Sequence, residues 1–367
     1  MGGRRGTVAV VHFTARAGGA DVRLRWWLAV LESAGFDAVA VPVLGRSWPR
    51  PSRQAVGAVL RGDAVPESLA WNPHDVHRVL QEIQPSLAVA VTLRTVAPGA
   101  YPRTLPVIMD FVDQLSLSYE QRATLSTGWR PAAWRVLAAA TGRAERRVAD
   151  RGCRPALALH ALVAAGRRDA EVLGAQWMPN TLIDELPAWP PAGAPVWDVL
   201  FTGTLDYLPN IEAVRSLLRM WPRIQQRRPG TTGCVAGRRP SDALRAQCRA
   251  AGVDLVADFE RFEDLAARAQ VVVVPLSAAT GMQNKVLDAA AAGLPLVVTN
   301  SVMAGIGHDF PARCAEPGSA FVDAVVGLLD DRRGAQALAA AARLHVERKF
   351  SLAAAVERLD EVIPCTF

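Results

Sequence analysis

The chain has 367 residues, of which 50% are hydrophobic and 21% charged, and its net charge is +6. This length exceeds the size at which one hydrophobic core usually stops growing, and the composition excludes a disordered chain. Residues 1–180 carry 22 arginines against 14 acidic residues, a net +8. That excess leaves an acidic substrate, an anionic membrane surface or solvated surface open, whereas no zinc-finger, RNP or basic-zipper pattern supports nucleic acid.

The N-terminal sequence MGGRRGTVAVVHF matches no targeting pattern. Its apolar run covers only about seven residues, too few for a signal-peptide core or a membrane span. Gly6 stands where a myristoylation pattern needs Ser or Thr, and Cys365 is one position too late for a prenylation box. Five scattered cysteines without CxxC spacing argue against structural zinc and a disulfide framework. We therefore expect a cytoplasmic protein.

Short apolar runs alternate with amphipathic segments in two series. The first series predicts strands at 7–13, 36–43, 86–92, 106–112 and 155–161, with helices at 20–35 and 131–151. The second series predicts strands at 198–203, 231–237, 253–257, 270–276 and 294–299. Strands that are apolar on both faces and alternate with helices are typical of parallel sheets covered by helices. The fold class is therefore α/β, with two doubly wound, Rossmann-like domains.

The boundary between the two domains is predicted at residues 181–196, because five prolines fall between 179 and 195 and such a segment forms an extended linker. The domains would span residues 1–180 and 197–350. Ligands of doubly wound sheets bind beyond the carboxyl ends of the strands, so we expect a site in a cleft between the domains.

Two loops of the first domain follow strands and carry candidate residues. Gly18 and Gly19 precede a helix, where glycine permits close approach of a phosphate or substrate, although a tight structural turn fits equally well. Asp110 and Asp113 stand at the end of the 106–112 strand. Their carboxylates suit a general base or a sugar-hydroxyl contact, and Asp113 could instead cap the helix beginning near Ser116.

The second domain offers a cationic set of candidates. Gly203 ends its first strand, and Arg238 ends the next, where a guanidinium suits a phosphate or is simply solvated. The stretch 280–299, TGMQNKVLDAAAAGLPLVVT, places polar residues at the start of an apolar helix. We expect Gly281, Lys285 and Asp288 to share one helix face, with a diphosphate at the helix N-terminus and ribose hydroxyls on Asp288. A capped helix with a solvated end is the alternative.

Several catalytic signatures are absent from the sequence. There is no DxD pair for a divalent metal, no GxSxG elbow, no phosphate-binding GxxxxGK[ST] loop and no His ligand spacing. The loop after the first strand is not GxGxxG, which disfavours a dinucleotide cofactor. We expect neither a metal nor a cofactor.

The motifs resemble those of nucleotide-sugar glycosyltransferases of GT-B fold, family 4, in a branch with a G-x-Q-N-K signature. The segments that carry the resemblance are 110–122, 178–184, 201–214, 271–276 and 280–299. It covers most of the second domain and touches the first. The resemblance implies a donor site in the second domain, an acceptor site in the first, and a last helix at 351–362 that packs back on the first domain.

The resemblance also implies residue roles. Gln283, Asn284 and Lys285 would contact the diphosphate, Asp288 the ribose, and the 258–262 loop with Phe259 the base. Gly18 and Gly19 would lie near the reacting centre. Two family features are missing: the first acid of the usual glutamate pair is Thr280, and no basic pair follows Gly203. Lys285 and Arg238 would then supply the charge on the phosphates.

The hypothesis is a retaining, metal-free transferase that moves a sugar from a UDP- or GDP-linked donor to a small molecule or glycan. The basic first half leaves peripheral membrane contact open. The first alternative is a nucleotide-sugar epimerase or hydrolase on the same fold, which would turn over the donor without an acceptor. The second is a catalytically silent nucleotide-sugar-binding subunit. Neither the base, the sugar nor the acceptor follows from the sequence.

Overall fold

The computed structural model describes residues 5–14, 19–45, 53–124, 126, 128–150, 157–183, 186–187, 189 and 195–363. The chain forms two compact units. The first comprises Met1–Ile183, Thr280–Met282 and Leu352–Phe367, and the second comprises Asp184–Ala279 and Gln283–Ser351.

Both units alternate strands and helices. The first contains β1 (Thr7–Phe13), α1 (Gly19–Ser33), β2 (Asp37–Val43), α2 (Arg53–Arg61), α3 (Pro73–Ile83), β3 (Leu87–Val91), β4 (Pro106–Asp110), α4 (Leu115–Thr124), α5 (Arg130–Ala149), β5 (Ala158–Ala164), α6 (Arg167–Leu173) and β6 (Gln176–Trp177). The second contains β7 (Trp197–Thr204), α7 (Leu208–Arg227), β8 (Gly233–Arg238), α8 (Asp242–Ala250), β9 (Asp254–Ala257), α9 (Phe262–Ala266), β10 (Ala269–Val274), α10 (Asn284–Ala291), β11 (Leu296–Val298), α11 (Asn300–Ile306), β12 (Arg313–Cys314), α12 (Ser319–Asp330) and α13 (Arg332–Lys349). The last helix, α14 (Leu352–Val362), returns to the first unit.

The first sheet is parallel, with strand order β2-β1-β3-β4-β5-β6. Its central strands are buried on both faces. In β1, Val8 and Val10 pack with α1 and α14, whereas Ala9 and Val11 belong to the core on the opposite face. Burial on both faces explains why these strands read as continuous apolar runs in the sequence.

The second sheet is also parallel, in the order β12-β11-β10-β7-β8-β9. Taken from β9, this is the doubly wound order 3-2-1-4-5-6 within the unit. The chain winds outward in opposite directions from β7 and β10, so the crevice beyond their carboxyl ends is where a ligand binds in such sheets.

The predicted strands are found within a few residues of their predicted positions. The largest shift is in β5, expected at 155–161 and found at Ala158–Ala164, with 155 and 156 outside the described residues. The helices α2 and α3 were not predicted. Along the described ranges, no helix combines the length and hydrophobicity needed to cross a bilayer.

Candidate functional site

The strand ends at the crevice of the second sheet carry a cluster of polar groups. Gly203 is the penultimate residue of β7, and α7 begins with Asn210 close to its N-terminus. The chain after β10 leads to α10, whose first turn contains Lys285. All three residues therefore lie where strand order predicts a ligand.

The glycine at position 203 lets two side chains of this cluster approach the strand closely. A Cβ atom on Gly203 would lie 2.9 Å from Nζ of Lys285 and 2.9 Å from the side-chain amide of Asn210. On the neighbouring strand, a Cβ atom on Gly237 would lie 1.8 Å from the carbonyl oxygen of Gly203. The two glycines allow the polar side chains to lie directly on the end of the sheet.

The ammonium group of Lys285 is held in place by the protein. Its Nζ donates a hydrogen bond of 2.8 Å to Oδ1 of Asn210 and lies 4.7 Å from the ring centroid of Phe201, which is buried. Asn210 is oriented in turn, because its Nδ2 donates to the carbonyl of Thr204 at 3.0 Å. An ammonium has three N–H donors. Asn210 is the one hydrogen-bond acceptor of Nζ recorded among the described residues, so donors remain for an anionic ligand.

Burial shifts the pKa values of Lys285 and Asp288 toward neutrality. Removal from water lowers the pKa of Lys285 to about 7, an effect that Asp288 opposes. Burial raises the pKa of Asp288 to about 7, with Glu263 adding to the shift and Lys285 opposing it. Shifts of this kind occur where groups are placed for binding or catalysis.

The N-terminus of α10 adds backbone donors. Gln283 is the N-cap residue, and its side chain makes no capping hydrogen bond. Asn284 and Lys285 are the first two helical residues, so the helix dipole and the first-turn N–H groups lie beside the lysine. An oxyanion bound here would receive both backbone and side-chain donors.

The expectation that Gly281 shares a helix face with Lys285 and Asp288 is wrong. The helix begins at Asn284, and Gly281 precedes it with φ +62°, a left-handed conformation that glycine adopts readily. Gly281 belongs with Thr280 and Met282 to the first unit, where its N–H donates to Oδ2 of Asp169 at 2.6 Å. Lys285 and Asp288, three residues apart on α10, do share a face.

Arg238 and Phe259 lie at the ends of neighbouring strands in the second unit. Arg238 is the last residue of β8 and is exposed, and no ion pair of its guanidinium is found in the described part of the chain. The adjacent Arg239 is bound instead by Asp206, at 2.6 and 3.0 Å. Phe259 is half-buried just beyond β9. Sequence order alone could not tell which arginine is engaged.

In the first unit, Asp110 is completely buried and bonded on both oxygens. Its Oδ2 accepts from Arg23 and from Nε1 of Trp27, both at 2.6 Å, and its Oδ1 accepts from the N–H of Val112 at 2.9 Å. Arg23 is itself fully buried, 4.0 Å from the ring centroid of Trp26. This packing supports a structural role for Asp110 rather than the catalytic role predicted from the sequence.

Asp113 has a different environment. Its Oδ2 accepts a hydrogen bond of 3.3 Å from Oγ1 of Thr280, the residue that stands where the resemblance leads one to expect an acid. Burial raises the pKa of Asp113, and Arg94 opposes that shift. A second carboxylate, Asp169, has its pKa raised to about 6 by burial and by Asp113. Asp169 was not predicted, because its partner Gly281 is 112 residues away in the sequence.

The contacts at the start of α4 disfavour the alternative that Asp113 caps this helix. The N–H of Ser116 donates to Glu145 at 3.0 Å, and its hydroxyl donates to the same carboxylate at 2.5 Å. Glu145 therefore accepts the hydrogen bonds that Ser116 donates at the start of α4.

Gly18 lies outside the described residues, and Gly19 is the first residue of α1. Within the described ranges no cluster of three or more His, Cys, Asp or Glu residues could hold a metal.

Comparison with known proteins relates the second unit to a described family and the fold to solved structures. Residues 197–331 match the family described as Glycosyl transferases group 1. No curated protein matches the chain. Among solved structures, HepE of Anabaena, in complex with UDP and glucose, is 12% identical, with a TM-score of 0.62 over 98% of this chain and 99% of that chain.

Two further structures show the same similarity. Sucrose-phosphate synthase from Thermosynechococcus elongatus is 12% identical, with a TM-score of 0.63 over 97% of this chain and 98% of that chain. A glycosyltransferase from Rickettsia africae is 10% identical, with a TM-score of 0.62 over 98% of both chains. At these identities the similarity establishes the fold, which is the GT-B fold.

The two parallel sheets thus have the GT-B fold, in which the lysine cluster lies at the strand ends of the second sheet. More particularly, residues 197–331 form a group 1 (GT4) domain, the kind of domain that transfers a sugar from a nucleotide sugar.

Proposed function

We propose that the chain transfers a sugar from a uridine- or guanosine-diphosphate donor to an acceptor, with retention of configuration and without an essential metal. The observation that carries the proposal is the Gly203–Asn210–Lys285 arrangement, in which a glycine strand end admits an oriented ammonium beside a helix N-terminus. UDP is the first candidate, because HepE of similar fold was solved with UDP-glucose and with UDP. The uracil or guanine base would lie against Phe259.

The donor would be bound by the second unit. Nζ of Lys285 and the first N–H groups of α10, with the side chains of Gln283 and Asn284, would receive the phosphate oxygens, and Asp288 would accept from the ribose hydroxyls. Arg238 is exposed at the neighbouring strand end and would add positive charge. These groups favour the diphosphate most when its negative charge develops as the glycosidic bond breaks.

The first unit, spanning roughly residues 1–180, would bind the acceptor. In the proposed reaction the acceptor attacks the anomeric carbon on the face that the diphosphate leaves, and its proton passes to a phosphate oxygen. Asp113, whose pKa is raised by burial, would orient a sugar hydroxyl, with Thr280 holding the carboxylate. Gly18 and Gly19 would lie near the reacting centre, as the resemblance implies. Asp110 is left out of this scheme.

The test is turnover of UDP-glucose and other UDP- and GDP-sugars, with and without a panel of acceptors. The proposal expects UDP or GDP release that depends on an acceptor, and a glycoside whose anomeric configuration, read by NMR coupling constants, equals that of the donor. Release at an equal rate without any acceptor would indicate a hydrolase, and conversion of the donor into a different nucleotide sugar without such release would indicate an epimerase. Tight nucleotide binding without any product would indicate a silent binding subunit.

A further inference from the structure

A strip of exposed residues runs along α5 in the first unit. Trp129, directly before the helix, is 78% exposed, and Val136 is 51% exposed. Arg143 and Arg147 continue the strip at positions i+7 and i+11 from Val136, so all lie on one side of the helix. At 1.5 Å per residue, the strip from 129 to 147 is about 27 Å long.

The helix α2 packs beside the C-terminal half of this strip. Nε of Arg143 donates to the carbonyl of Leu60 at 3.0 Å, and a Cβ atom on Gly62 would lie 2.7 Å from Cβ of Arg143. Leu60 and Val56, one turn apart on α2, are 44% and 43% exposed. The two helices together present aliphatic side chains and an indole to solvent.

Arginines outnumber acidic residues on the exposed side of α5, which includes this strip, and on the neighbouring α2. The arginines of α5 are Arg130, Arg135, Arg143, Arg146 and Arg147. The acid of that helix, Glu145, is buried and bonded to Ser116, and α2 has arginines at both ends and no acid. Asp63 engages Arg61 and Arg147. Arg135 and Arg146 are exposed, and among the described residues neither has a recorded ion pair.

We propose that this surface docks on an anionic lipid bilayer. We call it the α2–α5 patch, and its members are Val56, Leu60, Trp129, Arg135, Val136 and Arg146. Arginines attract the phosphate groups of anionic lipids, while an indole and neighbouring aliphatic side chains gain by entering the headgroup boundary. Nucleic acid would use the arginines but would leave the exposed Val56, Leu60 and Val136 in water. A bilayer accounts for both the charge and the apolar exposure.

The experiment is co-sedimentation of the full chain with phosphatidylcholine vesicles and with vesicles containing phosphatidylglycerol. We expect binding to the anionic vesicles alone. Raising the salt from about 0.1 M to about 1 M shortens the Debye length from about 10 Å to about 3 Å and should release the protein. The variants W129A and R135E/R146E should each weaken vesicle binding, the charge reversal by about tenfold or more, since each basic residue near such a surface contributes measurably.

The matched control is R332E/R333E, which reverses two exposed arginines at the start of α13 in the other unit. It makes the same change in net charge and should bind vesicles within about twofold of wild type, because attraction to the surface falls off within a Debye length. Melting curves identify any variant that fails to fold. If R135E/R146E fails to fold, W129A still tests the proposal. The proposal is overturned if wild type does not bind anionic vesicles, if both patch variants bind like wild type, or if the control loses as much binding as R135E/R146E.

Discussion

Asp110 in the first unit and Lys285 in the second both lie at the carboxyl edge of a parallel sheet, but they differ in burial and in hydrogen bonding. Asp110 is fully buried and accepts hydrogen bonds from Arg23, Trp27 and a backbone N–H. Lys285 is half-buried and donates to Asn210. A charge whose hydrogen bonds are all met by the protein stabilises the fold, whereas a charge with donors remaining is available to a ligand. The comparison predicts that mutations will separate stability from binding.

The largest expected effect is on stability, from Asp110→Ala. Removal of this carboxylate leaves the buried guanidinium of Arg23 without its ion pair, which costs about 3–5 kcal/mol of unfolding free energy. Urea denaturation of the purified protein measures it. Asp113→Ala is the matched control and should change the unfolding free energy by less than about 1 kcal/mol, because burial disfavours its charged form. Equal losses in the two variants would contradict the distinction drawn between the two aspartates.

Lys285→Ala should show the reverse behaviour. The variant removes the positive charge proposed to stabilise the leaving diphosphate, so kcat/KM should fall by about 10²–10³, the usual cost of losing one preorganised donor. Its thermal midpoint should stay close to that of wild type, because partial removal from water disfavours the ammonium, as its lowered pKa shows. Steady-state kinetics and melting curves on the same preparation check both expectations. A lowered midpoint with unchanged kinetics would make Lys285 structural, like Asp110.

Gly203→Ala tests the close approach at the end of β7. The new methyl group would lie 2.9 Å from Nζ of Lys285 and must displace it or Asn210. We expect donor affinity to fall by about tenfold, or about 1.4 kcal/mol, in a nucleotide titration. Gly327→Ala is the control, because a Cβ atom there in α12 has nothing within 4 Å. If Gly203→Ala binds nucleotide as well as Gly327→Ala does, the glycine does not shape the site.

The pH dependence of donor binding tests whether the charge on Lys285 contributes to binding of the diphosphate. Burial lowers the pKa of Lys285 to about 7, so above that pH the free protein increasingly holds a neutral amine. A diphosphate favours the charged form, so binding above neutral pH takes up a proton, and affinity falls by up to about tenfold per pH unit. Calorimetry in buffers of different ionisation enthalpy counts the protons. Lys285→Arg, which stays charged, should bind the diphosphate without this proton uptake. If the variant still takes up a proton on binding, the proton belongs to another group.

The smallest expected effect comes from Arg238→Ala. Its guanidinium is exposed, and exposed charges contribute about 1 kcal/mol or less, so affinity for the donor should fall by about fivefold at most. The neighbouring Arg239→Ala removes an arginine that is already bound by Asp206 and should change affinity by less than about twofold. Titrations at low and high salt compare the two. A larger loss in Arg239→Ala would reverse their assigned roles.

Much of the fold follows from the sequence because apolar runs such as 271–276 are local signals. The glycine and the lysine of the proposed donor site, Gly203 and Lys285, are local signals too, since each lies at a strand end or a helix start. The partners of these residues are not. Asn210 is 75 residues from Lys285, and Arg23 is 87 residues from Asp110, so only the folded chain reveals which charges are satisfied. The same limit explains why Gly281 was placed on a helix that begins three residues later.

The central claim is that Lys285 binds the diphosphate of the donor, and calorimetric titration of UDP, GDP, ADP and TDP tests it most directly. The chain contains two lysines, so Lys349→Ala, which removes an exposed ammonium paired with Asp309, is the matched control for Lys285→Ala. The account predicts that wild type and Lys349→Ala bind UDP or GDP with equal affinity, and that Lys285→Ala binds neither measurably. Undiminished binding of the same nucleotide by Lys285→Ala would contradict it.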